Sequence, residues 1–377
     1  MLDKRNDVDA AAQNKANELQ NSPAARYRQL SQESCLCEAS GLIQDLLRDR
    51  DFQEAPDTAA RVCGGCPVAY YMSSVYALEK TLDVTVPPAV LALRRLFYCG
   101  EWIKSHSRHI YLIQAPELLG YENVMDMAAD SQLTPLIERG MRLKEIGHKL
   151  LALLGGRELH PISPCVGGFY YTPRQRHLLP LKRELEWGLE AAVETVSWVA
   201  SLPLPDSTTE CEFMALSTPD KYPMNEGYIV SSRGLTVTAE AFKSCFVEGP
   251  AAESGALRLR RTNGEDYQVG PLARINLNLD RLSPRAREAL QVSELSFPSS
   301  NPMMSIVARS LELVYAFEEI LQIISTYHQP VPSRVPVFPH AGEGCYMTEA
   351  PQGIMYHGYR LDRKGLIKEV QIVAPTI

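Results

Sequence analysis

Long apolar stripes at helical spacing constrain this chain more than any other feature. Between 301 and 324 the stripe Ile306, Val307, Leu311, Val314, Phe317, Leu321 and Ile324 recurs mostly at intervals of three and four. Asn301-Pro302 ahead of it supplies an N-cap and a first-turn proline. Residues 91–112 repeat the pattern with Leu93, Leu96, Phe97, Ile103, Ile110 and Tyr111 around Trp102, and residues 181–199 with Leu185, Leu189, Val193 and Val196. With the shorter stretches 67–80 and 136–153, the spacing predicts an up-and-down helical bundle. At 377 residues, 45% hydrophobic and 22% charged, the chain has apolar material for one large core or two smaller ones.

Two regions depart from helical spacing. Between 210 and 270 short β-type runs appear, Glu212 to Leu216 and Gly227 to Val230, with Asn263-Gly264 as a turn signal. Near the C-terminus, residues 354–361 and 366–373 flank Asp362-Arg363-Lys364-Gly365 and predict a β-hairpin. The fold class is therefore α+β, mainly α: a helical bundle with a small α/β insertion at about 210–280 and a C-terminal β-hairpin. Residues 1–34 are polar, with no sustained apolar face, and read as a flexible extension, which leaves 35–377 as the folded domain.

A formal net charge of −7 and a pI near 5.7, with no long Lys/Arg cluster, exclude an electrostatic footprint for nucleic acid. No stretch reaches the roughly 18–20 apolar residues of a transmembrane segment, and the N-terminus has no apolar signal-peptide core, so the expected localisation is cytoplasmic. Nine cysteines at irregular spacing read as thiols and ligands, not as a disulfide framework. Cys99, Cys165, Cys211, Cys245 and Cys345 stand singly, as small buried hydrophobes do.

Cys63-Gly64-Gly65-Cys66 is the stretch that carries chemistry. By spacing alone it fits a redox dithiol, half of a zinc site or half of a transition-metal cluster. Pro67 begins a predicted helix just after it, and a helix N-terminus favours thiolate. Cys35-Leu36-Cys37 adds two thiols that would complete a four-cysteine zinc or iron-sulfur site if the chain folded back. His106 and His109 stand three apart on a helix, with no carboxylate or cysteine positioned to complete a metal site. Gly167-Gly168 and the 351–353 turn read as backbone devices, because neither belongs to a phosphate-binding glycine pattern.

The cysteine segment 57–70 is followed in order by Gly100-Glu101-Trp102-Ile103, His160-Pro161 with Gly167-Gly168-Phe169, 222–227, Val269-Gly270-Pro271-Leu272-Ala273-Arg274, Thr348-Glu349-Ala350-Pro351 and 372–376. This series resembles the large (alpha) subunit of nickel-iron hydrogenases, in particular the cytoplasmic pyridine-nucleotide-linked branch. The resemblance implies a large-subunit-like bundle and reversible oxidation of dihydrogen. It also implies an iron-sulfur small subunit and diaphorase-type electron-transfer subunits as partners. The implied cofactor is a nickel-iron centre whose iron carries carbonyl and cyanide, with nickel on four thiolates from two Cys-x-x-Cys pairs. Carried over by position, Cys63 is a terminal nickel ligand and Cys66 a nickel-iron bridge. His160 and His357, inside matching blocks, would orient loops.

This sequence departs from the family at four points. No cysteine follows Cys345 before Ile377, where the second pair would be expected. Gln44 stands where the family has a magnesium-binding glutamate, and Gln352 where it has an arginine beside the iron. No counterpart of the proton-relay glutamate precedes Cys35. The expectation is a hydrogenase large subunit that is incomplete or inactive alone. The alternatives are a noncatalytic hydrogenase-like scaffold or assembly subunit, and a four-cysteine zinc or iron-sulfur structural protein.

Overall fold

The computed structural model describes residues 42–208, 210–250 and 257–375. The 1–34 extension and the Cys35/Cys37 pair lie outside the described residues. The chain forms helices α1 (Ala55–Ala60), α2 (Pro67–Thr81), α3 (Pro88–Arg108), α4 (Thr134–Gly155), α5 (Lys182–Ala200), α6 (Pro271–Asn278) and α7 (Ser305–Ser325). Of these, α2, α3, α4, α5 and α7 lie where the apolar stripes predict them, and α1 and α6 are unpredicted. Pro67 and Pro88 open α2 and α3, where a missing N–H costs nothing. At α7 the Asn301 side chain accepts from Met303 N at 2.9 Å, as a cap should, but the first turn Pro302–Met304 is a 3-10 turn. The stretch predicted as helix to residue 112 is α-helical only to Arg108 and continues as a π-helical turn, His109–Gln114.

The long helices pack around one core. Leu93, Leu96, Phe97 and Trp102 of α3, Leu150 and Leu154 of α4, and Ile306, Val307, Leu311 and Phe317 of α7 are fully buried in it. Each such side chain contributes about 1.5–3 kcal/mol by burial alone.

The strands of the middle region are β3 (Glu212–Ser217), β4 (Tyr228–Ser231), β5 (Thr236–Val237), β6 (Phe246–Pro250), β7 (Leu257–Arg261) and β8 (Tyr267–Gln268). They follow the short β1 (Pro164–Cys165) and β2 (Gly168–Phe169) pair. Four of them form a sheet in the order β5-β4-β3-β8, with β8 parallel to β3. The β-type region ends at Gln268, short of the expected 280, because Pro271 starts α6 there.

The C-terminal hairpin is present as β10 (Gly353–Leu361) and β11 (Ile367–Val373), and a third strand, β9 (Gly342–Ala350), completes a meander ordered β11-β10-β9. Spacing did not predict β9, since Gly342-Glu343-Gly344 has little strand propensity. Those glycines are there for close approach: a Cβ on Gly344 would stand 2.4 Å from Thr81 N, where β9 crosses the end of α2. A second apolar cluster joins the middle sheet to this meander through Met214, Leu216, Ile229, Phe242, Tyr356 and Val373.

Candidate metal centre

The cysteine segment is held from three sides. Helix α1 leads in, its end tied by an Arg61–Asp57 ion pair at 2.8 Å. The chain then bends through Cys63-Gly64-Gly65, and Cys66 becomes the N-cap residue of α2 with φ −134° and ψ 48°. Cys66 makes no side-chain capping bond to α2. The cap comes from α3: Glu101 Oε1 accepts Val68 N–H at 2.7 Å and Oε2 accepts Ala69 N–H at 3.0 Å. Two of the helix's unpaired donors are thereby satisfied by one buried carboxylate.

The two sulfurs are 3.0 Å apart, and Cys66 N–H also points at Cys63 Sγ, at 3.3 Å. Both residues are buried, Cys63 at 6% exposure and Cys66 at 1%. The separation is far longer than the roughly 2.05 Å of a disulfide, and both sulfurs occupy one environment, as ligands of a shared soft ion must.

The electrostatics run against the simple helix-dipole expectation. Donation to Cys63, burial and the negative charges of Cys63 and Glu101 hold the Cys66 thiol well above its usual range, with only Lys104 opposing. Burial likewise pushes the Glu101 carboxyl up to about 7, against the pull of Lys104 and of the two backbone N–H groups. The helix end that would have stabilised thiolate is already occupied by Glu101. Its bond to Cys63 and burial thus raise the Cys66 thiol, and burial the Glu101 carboxyl, so that each holds its proton more tightly than in water.

The surroundings are anchored to this cluster. Arg94 grips Glu79 with two bonds of 2.7 and 2.6 Å, and Glu79 Oε1 accepts Gly167 N–H at 2.7 Å. Tyr71 OH donates to Pro164 O at 2.7 Å, which fixes the β1–β2 turn over α2. Gly168, at φ +146°, is a backbone device of the kind its sequence context implies, since a Cβ there would lie 2.3 Å from Ser333 O. His160 sits in the loop ahead of this turn with a left-handed φ of 51°.

Beside the cysteine segment opens a cavity of about 630 Å³, lined among others by Phe52, Asp57, Tyr71, Cys165, Tyr170 and Arg334. Ile162, Tyr171, Val331 and Phe338, on the chain segments that bound it, are exposed apolar side chains. The cavity wall itself is mixed, with Asp57 and Arg334 beside Phe52, Ile162, Val335 and Val337.

Several matching sequence blocks meet in a second buried cluster. Arg274 of α6 bonds Glu312 of α7 through Nε at 2.6 Å and Nη2 at 2.8 Å, and Glu349 of β9 at 2.9 Å. It also donates to Ala350 O and Pro351 O, both at 3.0 Å, and so fixes the turn that carries Gln352. Tyr222 OH donates to Glu312 at 2.7 Å, and His106 Nε2 lies 2.8 Å from the same carboxylate. Burial pushes the Glu312 carboxyl up, but Arg274 and His106 outweigh it and leave it at about 2. Burial prevails at Glu349, which rises to about 7, and at His106, which falls to about 4. Of the two carboxylates on Arg274, Glu312 is the more acidic and Glu349 the less acidic.

His106 is thus engaged by Glu312, and its Nδ1 lies 3.3 Å from Arg309. Burial and Arg309 hold His109 well below the usual imidazole range. His357 is buried in β10 against Tyr70 and Tyr359, and burial lowers it to about 3. Gln44 is half-buried in the helical stretch 42–47. Gln352 Oε1 is buried with no hydrogen-bond partner among the described residues.

Among the described residues, no group of three or more His, Cys, Asp or Glu converges as a metal site. Cys63 and Cys66 are brought together as two adjacent thiols, which could supply two of the sulfurs a soft metal would need. Sequence reasoning missed Glu101 as the cap and the pairing of Arg274 with Glu312 and Glu349. The available signal was a set of charged residues, Arg94, Glu101 and Lys104, set among apolar helical positions.

No helix among the described residues is long and apolar enough to cross a membrane. Residues 42–141 match the family model of the nickel-dependent hydrogenases. The chain is 27% identical over 332 residues to the sulfhydrogenase 1 subunit alpha of Pyrococcus furiosus, covering 87% of this chain and 76% of that relative. It is 27% identical over 343 residues to the sulfhydrogenase 2 subunit alpha of the same organism, covering 90% and 80%. The fold is similar to that of a solved NAD+-reducing [NiFe]-hydrogenase in the H2-reduced state, with a TM-score of 0.76 at 21% identity, over 88% of this chain and 80% of the other. Over most of its length the chain is therefore similar to the alpha subunits of hydrogenases, and its residues 42–141 match the nickel-dependent hydrogenase model.

Proposed function

We propose that this chain is the nickel-binding large subunit of a hydrogenase, with Cys63 and Cys66 as its share of the metal ligands. The observation that carries this reading is the pair of buried sulfurs 3.0 Å apart at the head of α2, inside the segment that matches the hydrogenase family. When bound, a nickel-iron centre would supply heterolytic cleavage of dihydrogen and take up its electrons. The chain's own residues hold and shield that chemistry. Cys63 and Cys66 would release protons on binding the metal. Glu101 holds the helix end beneath them, and the apolar packing of α2 and α3 keeps water away. Two thiolates do not fill a nickel coordination sphere, so two further sulfurs are required before the site can turn over.

The exposed apolar side chains Ile162, Tyr170 and Tyr171 support docking of an iron-sulfur small subunit on this side of the chain, which would receive the electrons. A cytoplasmic setting and diaphorase-type partners that pass electrons to a pyridine nucleotide belong to the same reading. The test is to co-produce the chain with a small subunit and the maturation proteins of a related hydrogenase, then measure nickel, iron and hydrogen-dependent dye reduction. Nickel in the wild type and its loss in the Cys63→Ser/Cys66→Ser variant support the proposal. Nickel retained in the double variant, or absent from the wild type, overturns it.

A second reading, a noncatalytic scaffold with the same interface, is favoured by Gln352, whose amide replaces the guanidinium that the family carries at that position. Small-subunit binding without nickel, in the same experiment, would select it.

A further inference from the structure

Cys63 and Cys66 are arranged for a chemistry that needs no metal. Their sulfurs, 3.0 Å apart, need close by only about 1 Å to reach disulfide length. The intervening loop has room to move. A Cβ on Gly64 would have nothing within 4 Å, and one on Gly65 would meet only Cys63 Sγ, at 3.6 Å. The amide and the thiol of Cys66 both point at Cys63 Sγ, so Cys63 is the acceptor of the pair and Cys66 the donor beside it. Gly64 is exposed and Cys63 is 6% exposed, whereas Cys66 is 1% exposed, so a reagent arriving from solvent meets Cys63 first.

We infer that Cys63 and Cys66 form a reversible dithiol–disulfide couple in the metal-free chain, with small disulfides such as oxidised glutathione as the oxidant. The Cys63 thiolate attacks one sulfur of oxidised glutathione, breaking its S–S bond, expelling one glutathione thiolate and forming a mixed disulfide. Cys66 gives its proton to solvent, and its sulfur attacks Cys63 Sγ. The second glutathione thiolate leaves as the Cys63–Cys66 bond forms. The cysteine pair loses two electrons, and the glutathione disulfide gains them. Sulfurs joined this way are no longer thiolate ligands, so oxidation and metal loading exclude one another. This couple stands apart from the proposed nickel role, because it is tested in the absence of nickel.

The experiment equilibrates the reduced, metal-free 377-residue chain in anaerobic glutathione buffers of graded ratio, traps free thiols by alkylation and reads each cysteine by peptide mass. The expected result is a 63–66 peptide that turns from doubly alkylated to unalkylated and two hydrogens lighter as the buffer becomes oxidising, and reverts with dithiothreitol. Cadmium added before the oxidant should protect the pair. Cys66→Ser should accumulate a glutathione adduct on Cys63 severalfold above any adduct on Cys66 in Cys63→Ser. The inference is overturned if the pair stays alkylatable while Cys211, Cys245 and Cys345 oxidise, if Cys63 or Cys66 pairs with Cys35 or Cys37, or if the two variants form adducts equally.

Discussion

The molecule buries two clusters of ionisable groups against the same long helices, and they differ in how their charges are balanced. Around Arg274, one guanidinium is shared between Glu312 and Glu349, with two carbonyls taking its remaining donors, so the cluster closes on itself. At the head of α2, Lys104 is the cation that pulls on Cys66 and Glu101, and both stay raised against it, Cys66 by its bond to Cys63 and burial, Glu101 by burial. A self-satisfied network holds structure. A buried thiol pair outside such a network can exchange its protons for a soft cation.

The largest effect should come from breaking the closed cluster. Arg274→Met leaves Glu312 and Glu349 buried without their shared cation and should destabilise the fold by about 3–5 kcal/mol in denaturant unfolding. A loss below about 1 kcal/mol would mean that the network is not the structural clamp its geometry implies.

Next in size is Glu101→Ala, which strands the Val68 and Ala69 N–H groups at the buried end of α2. It should cost about 2 kcal/mol by the same measurement, with Glu101→Gln costing less because its amide oxygen still accepts one bond. By contrast, Cys63→Ser/Cys66→Ser should change stability by less than about 1 kcal/mol, since neither thiol clamps distant elements together. If the cysteine variant is the more damaging, the two clusters have been assigned the wrong roles.

The smallest effect is a slope with pH. Burial raises folded Glu101 from an ordinary 4.5 to about 7, so between those values the folded chain binds more protons than the unfolded one. Its contribution is fully present below about 4.5 and fades as pH rises through about 7. Glu101→Gln should flatten that part of the stability profile. An unchanged profile would show that Glu101 is ionised throughout.

How far these features could be read from the sequence follows from what determines each. The stripes of α3 and α7 repeat locally, so spacing alone found the helices, and Asn301-Pro302 marked the start of the 3-10 turn that leads into α7. Strand β9 was hidden because Gly342 and Gly344 answer to the approach of Thr81 from another element, not to strand propensity. The Cys63/Cys66 pair was legible because both thiols lie within one turn of chain. Glu101 and the Arg274 cluster were not, since capping from α3 and pairing across α6, α7 and β9 exist only once the helices have packed. For the same reason, the helix-dipole argument for thiolate failed at Cys66: the donors it counted on are taken by a carboxylate about thirty residues away in sequence.

The central claim is that Cys63 and Cys66 together form half of a soft-metal site. Its most direct measurement is a cadmium titration of the reduced 377-residue chain, following the thiolate-to-metal charge-transfer band and the protons released. The account predicts a band that saturates with a single tightly bound ion, releases protons as it grows, and disappears in Cys63→Ser/Cys66→Ser while the fold persists. A band of full strength in that double variant would contradict it.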